Sequence, residues 1–143
     1  MIFVVPLNPR LRRHALYALA DEDDEWHQRT AAYLRHAGAQ ILVPITVLPE
    51  VCYLIDGNLG PRFELEFITS IVRREVTVEF LETTDIRRAA EIMERYGDLR
   101  LGFVDASVIA VAERLKIREV LTTDRRHFGA VRPRHCPAFD LKP

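Results

Sequence analysis

Three acidic side chains, Glu50, Asp105 and Asp124, stand where a carboxylate can do more than face water. Asp105 is the only charge between Gly102 and Ala112, in "LGFVDASVIAVA". A carboxylate in such surroundings is costly unless it meets hydrogen-bond donors or a cation. Asp124 directly follows the apolar run "EVLTT", and Glu50 comes shortly after "ILVPI". In an open parallel sheet, ligands bind beyond the carboxyl ends of the strands, so acids at these places can share one crevice. A cluster of this kind does not stay fully ionised without a countercharge. Few hard oxygen ligands, with room left for water and phosphate, suit Mg²⁺ or Mn²⁺. The chemistry that such an ion offers is phosphodiester hydrolysis, because it stabilises developing charge and lowers the pKa of an attacking water. Each acid also has a plainer reading. Glu50 fits a first-turn acid favoured by the helix dipole, and Asp124 fits a cap for the short turn "DRRHF". Convergence of all three is the stronger signal.

The segment after Asp124, "DRRHFGAVRPRH" (124–135), sets Arg125, Arg126, Arg132 and Arg134, with His127 and His135, against that single acid. Guanidinium groups beside an acidic centre are what a polyanionic substrate needs; the alternative is a solvated basic turn. The formal net charge of the chain is −1, so no global field draws in nucleic acid or membrane, and any electrostatic partner must be met by a local patch.

The elements that must position these groups are short and alternate in type. Apolar, β-branched runs recur at "MIFVV" (1–5), "ILVPI" (41–45), "VTVEFL" (76–81) and "EVLTT" (119–123). Between them, helical spacing is predicted over 25–38, 46–60, 61–75, 83–97 and 102–116. Thr46 is the expected N-cap of the second of these. The 61–75 stretch opens with proline and carries a stripe of Phe63, Phe67, Ile68, Ile71 and Val72. The stripes of the 46–60 and 61–75 helices read either as a groove for an amphipathic partner helix or as ordinary core. The 102–116 helix is apolar until Glu113 and is expected at the centre of the packing. Strands alternating with helices predict an α/β class, a three-layer α/β/α sandwich on a mostly parallel sheet. At 143 residues, 48% of them hydrophobic and 29% charged, a single domain spanning 1–143 is expected, with an irregular segment within residues 1–15. Cys52 and Cys136 are too few and too far apart for a disulfide framework, no apolar run reaches membrane-spanning length, and the N-terminus lacks signal-peptide order; a cytoplasmic location is the expectation.

"VLPEVCYLI", "LGFVDASVIAVAERL" and "VLTTDRRHFGAVRP" together resemble the PIN-domain ribonucleases of the VapC toxin type, from about Leu16 to the C-terminus. The resemblance implies an α/β/α fold and Mg²⁺- or Mn²⁺-dependent endoribonuclease activity. It also implies a homodimer and inhibition by a small antitoxin encoded alongside, within a type II toxin–antitoxin system. Glu50, Asp105 and Asp124 fall on three of the family's conserved acids. Asp105 and Asp124 are thereby implied in metal binding and water activation, and Glu50 in binding through water or as a positioning base. Arg125, Arg126 and Arg132 become the candidate RNA contacts.

The family's fourth acid, which ends the first strand, has no counterpart. Counting back from the helix-like "LYALAD" (16–21) lands on Arg12, and counting forward from "MIFVV" lands on Pro6. The five acids at 21–25 come too late and read as a solvated loop and helix start. The alternative function is therefore a catalytically impaired PIN-like remnant that keeps RNA or antitoxin binding. Phosphoryl-transfer signalling on a similar sheet lacks its strand-end acid and lysine.

A shifted reading frame accounts for the gap. Arg12-Arg13-His14 encoded as CGT CGA CAC gives Val-Asp-Thr when read from the second base, which is the missing motif. Genomic sequence around the first sixteen codons is expected to hold such a frame; if no frame there encodes an Asp closing an apolar strand, this account is wrong.

Overall fold

The computed structural model describes residues 2–4, 41–122 and 124–142. Within them, five strands form one sheet: β1 (Ile2–Val4), β2 (Ile41–Pro44), β3 (Val76–Glu79), β4 (Glu119–Leu121) and β5 (Asp140–Lys142). Their order is β3-β2-β1-β4-β5, and every neighbouring pair is parallel. Parallel strands are covered on both faces, so they read as continuous apolar runs rather than alternating ones. Leu42, Val43 and Pro44 are accordingly buried in succession, as are Val120 and Leu121. β1 is the central strand: Phe3 is level with Leu42 on one side and Val120 on the other. The chain thus extends the sheet one way through β2 and β3, then crosses β1 to lay down β4 and β5. That reversal creates a switch point beside β1, where open α/β sheets bind ligands.

Ile2–Val4 is the ordered strand within "MIFVV", although residues 1–15 were expected to contain an irregular stretch. Residues 5–15, the 25–38 helix and the acids at 21–25 lie outside the described residues. β5 has no counterpart among the predicted strands. Its sequence, Asp-Leu-Lys, carries one apolar residue between two charges, and only pairing with β4 makes it a strand.

The described helices are α1 (Leu48–Leu59), α2 (Pro61–Val72), α3 (Thr83–Arg95), α4 (Phe103–Leu115) and α5 (Arg125–Ala130), with a 3₁₀ turn at Gly97–Leu99. α1 begins one residue later than an N-cap at Thr46 implies: Val47 occupies the cap, and Pro49 sits in the first turn, where a missing N–H does no harm. Gly60, at φ 95°, turns α1 into α2 in a region where a side chain is strained. α2 starts with Pro61 and buries none of its residues; Phe63, Leu65, Ile68 and Val72 are exposed. Of the stripe, Phe67 packs half-buried against the core while Phe63, Ile68 and Val72 stay exposed, because amphipathic spacing reports a face and not what covers it. α3 opens with its Asp85 side chain accepting the Glu82 N–H at 2.8 Å.

α4 is the central helix that its composition predicts, with every residue from Ala106 to Glu113 buried. A helix this enclosed has to pair its charges. Glu113 receives a two-pronged Arg88 guanidinium at 2.7 and 3.1 Å and the Arg134 backbone N–H at 2.9 Å. Arg114 reaches both oxygens of buried Asp85 at 3.0 and 3.1 Å, and Glu79 at 3.0 Å. Burial pushes the Glu113 carboxyl up, but the Arg88 bonds, the Arg134 N–H and both guanidinium charges outweigh it, leaving its pKa below the ordinary value. These pairs fix α4 against α3, and through Arg134 they tie α4 to the segment following α5.

Removing Glu113 takes both of its bonds from the largely buried Arg88, which keeps only the exposed Glu91, and leaves the Arg134 N–H without its acceptor. Glu113→Ala is expected to cost about 3–5 kcal/mol of folding stability, read from urea unfolding at neutral pH. A loss below about 1 kcal/mol, the range of exposed pairs, would show that the pair does not hold α4.

Candidate metal centre

Two described carboxylates meet at the switch point because of where their helices start. Asp105 lies in the first turn of α4, three residues after the Gly102 cap. Asp124 follows β4 and is itself the N-cap of α5. Glu50 lies in the first turn of α1, just beyond β2. Acids at the starts of α1 and α4 face the positive ends of helix dipoles, which offsets part of their mutual repulsion. The two turns are joined directly: the Thr46 hydroxyl is 2.8 Å from that of Ser107, whose own proton reaches the Val104 carbonyl at 2.7 Å. Thr46 therefore donates to Ser107, which leaves the buried hydroxyl satisfied.

Asp124 is buried and held from several directions. Its backbone N–H donates to the Thr122 hydroxyl at 2.9 Å. Its Oδ1 accepts the His127 backbone N–H at 3.0 Å, the expected capping bond. Its Oδ2 lies 2.7 Å from His127 Nδ1. The capping reading and the ligand reading of Asp124 are thus compatible, since each oxygen keeps a second lone pair.

Asp105, Asp124 and His127 each offer a ligand atom within 4.8 Å of the others. Ligands at about 2.0–2.1 Å from one small ion lie at most about 4.2 Å apart, so the two carboxylates are within a slight contraction of sharing a cation, with the His127 ring bonded to Asp124 beside them. The electrostatics ask for one. Burial, then the neighbouring charge of Asp124, push the Asp105 carboxyl up to about 6, with Glu50 adding to the rise and His127 opposing it. A bound divalent ion is the countercharge that this donor set lacks, so the residues fit a metal.

Glu50 is within electrostatic reach of Asp105 but is not one of the three groups in ligand reach of one another. Arg125 and Arg126 are exposed on the first turn of α5, next to Asp124. Arg132 is at the other end of that helix, its guanidinium bonded to the Gly129 and Val131 carbonyls at 2.8 and 3.1 Å. His127 was counted in the sequence only as part of the basic segment. The signal that identifies it is the Asp-x-x-His spacing at a helix start, which returns the third residue to the cap.

A chain with this geometry has known relatives. The PIN domain family profile matches residues 13–132. Ribonuclease VapC26 of Mycobacterium tuberculosis is 30% identical over 119 residues, which cover 83% of this chain and 88% of that protein. The crystal structure of VapC20 of Mycobacterium tuberculosis, described as a Sarcin-Ricin loop cleaving toxin, superposes with a TM-score of 0.73. The match covers 91% of this chain and 95% of that one, at 22% identity. The chain belongs to the PIN-domain family. The family profile begins after β1 and ends before β5.

The raised pKa of Asp105 fixes the sign of a pH effect. Between its ordinary value of 3.8 and about 6, the metal-free folded state holds a proton that the unfolded chain has released. This group therefore loses stability for the fold as pH rises through that window. Relative to Asp105→Asn, the metal-free wild type is expected to become steadily less stable from about pH 4 to pH 6 and then level off, as read by thermal melts in chelator. A stability difference that is flat across the window would contradict the burial argument.

Proposed function

We propose that this protein is a metal-dependent endoribonuclease, the toxin of a toxin–antitoxin pair, hydrolysing phosphodiester bonds in RNA. The observation that carries the reading is the convergence of Asp105 and Asp124 at the sheet's switch point. The family membership and the printed names of VapC26 and VapC20 support it. Mg²⁺ or Mn²⁺, when bound, supplies Lewis-acid stabilisation of charge on the phosphate and lowers the pKa of a water.

In this reading Asp105 and Asp124 hold the ion, and Glu50 acts through an ordered water or positions the nucleophile. The carboxylates are already set before substrate arrives, because α4 is clamped by Arg88 and Arg114 and Asp124 by its own cap. Arg125 and Arg126, on the site's side of α5, steer and hold the phosphate backbone. Arg132 contributes to the basic surface further along the strand of RNA. The antitoxin and a second copy of the chain are the protein partners, and the exposed apolar residues of α2 support an unfilled protein contact. Among the described residues no helix is long and apolar enough to cross a membrane. An RNA substrate and two free thiols, Cys52 and Cys136, support a cytoplasmic location.

The test is cleavage of structured RNA by the purified chain with Mg²⁺ or Mn²⁺, beside Asp105→Asn and a chelator control. Loss of a ligand should cost more than the roughly 10–100-fold that losing an outer partner brings, and the chelator should abolish cleavage. Equal residual cleavage by wild type and Asp105→Asn would leave only the impaired remnant.

A further inference from the structure

We infer that His127 is a positioning residue of the metal centre: it coordinates nothing itself, and its ring N–H orients Asp124 to hold the ion. The inference rests on the metal-dependent reading above and deepens it. An ionised carboxylate only accepts, so the 2.7 Å contact between His127 Nδ1 and Asp124 Oδ2 is an imidazole N–H donating to that oxygen. The His127 backbone N–H donates to Oδ1 at 3.0 Å. One residue thus bonds both oxygens of the same carboxylate, which fixes its plane as well as its position. Nε2 faces away from Asp124, so the ring supports the ligand without competing for the ion. The contact is sheltered, with the His127 side chain 22% and that of Asp124 6% exposed.

The ring is presented from an anchored backbone. The next residue, Phe128, is buried, and its ring centroid lies 6.3 Å from that of Phe139, which immediately precedes β5. The Phe128 N–H also returns to the Asp124 carbonyl at 3.3 Å. The donor type suits the task. A guanidinium or ammonium in this place would bring a charge that competes with a cation for Asp124. An imidazole that donates through Nδ1 alone orients the carboxylate and leaves its charge to the ion. Bonds of this kind to a ligating carboxylate raise metal affinity, because the ligand is already aligned when the ion arrives.

The experiment measures the affinity of the full chain for Mn²⁺ and for Mg²⁺ by calorimetry, in wild type, His127→Ala, His127→Asn and His127→Gln. Each variant keeps the backbone N–H for Oδ1, and thermal melts in chelator check that each is folded. The Asn amide nitrogen falls where Nδ1 lies, whereas the Gln amide falls at the level of Nε2. His127→Ala and His127→Gln are expected to bind both ions about 10–100-fold more weakly, and His127→Asn within about threefold of wild type. In RNA cleavage, the Ala variant should need correspondingly more metal for half-maximal rate, with KM for RNA unchanged. Should Ala melt early, the comparison of Asn with Gln decides the matter by itself. Wild-type affinity in the Ala or Gln variant would show the Nδ1 bond to be idle and overturn the inference. An Asn variant as weak as Gln would also overturn it, since restoring the donor would then restore nothing. Either result, with RNA still cleaved by the wild type, leaves the proposed function standing. Failure of the wild type to bind either ion would remove both.

Discussion

The structure turns on the crowding of carboxylates at one edge of a parallel sheet. Asp105 and Asp124 come from different helices, yet they are near enough for the Asp124 charge to oppose ionisation of Asp105. Burial makes this worse for Asp105, and no described side chain gives it an arginine or lysine partner. Elsewhere the same chain pairs its buried acids thoroughly: Asp85 with Arg114, Glu113 with Arg88. The contrast is the informative part. Among the described residues, guanidinium partners go to Asp85 and Glu113 and not to these two, an arrangement that suits a cation from outside.

The rest of the architecture keeps those groups from relaxing apart. α4 is buried over eight consecutive residues, so its first turn is not free to swing away from β4. The ionic contacts with α3 fix its far end, and the Thr46–Ser107 hydroxyl pair fixes its near end against the start of α1. Asp124 is held by the capping geometry of a helix only six residues long, which is stabilised by burial of Phe128 rather than by its own length. Stability gained in the α3–α4 packing thus offsets the electrostatic cost of the site, an arrangement common where function demands a locally unfavourable geometry.

Much of this was legible in the residues, and the reasons differ. Asp105 stood out because one charge in an apolar helix has few structural explanations, and Asp124 because it closes an apolar strand. The alternation of strands and helices gave the α/β class, since parallel strands need crossovers. What stayed hidden depends on partners distant in sequence. β5 has almost no strand character of its own and exists by pairing with β4. The α2 stripe has helical periodicity, but periodicity does not say whether the apolar face is covered. Thr46 was read as a cap, whereas its hydroxyl is used across 61 residues by Ser107. His127 looked like one more cation in a basic run until the i, i+3 geometry placed it on Asp124.

The absent first acid now has a structural frame. β1 is the central strand, paired on both sides, and its carboxyl end opens on the switch point. The family resemblance puts an aspartate after that strand, and this chain continues from Val5 into Pro6 and Leu7 instead. The three groups that do converge come from α4 and the β4–α5 junction, on one side of β1 and later in the sequence. Among the described residues, their positions follow from α4 packing, from the β4–β5 pairing and from the Asp124 cap. Two carboxylates from these elements still crowd at the carboxyl edge of the sheet, and burial together with the Asp124 charge holds the Asp105 carboxyl well above its ordinary value, so this half of the site keeps its need for a countercharge.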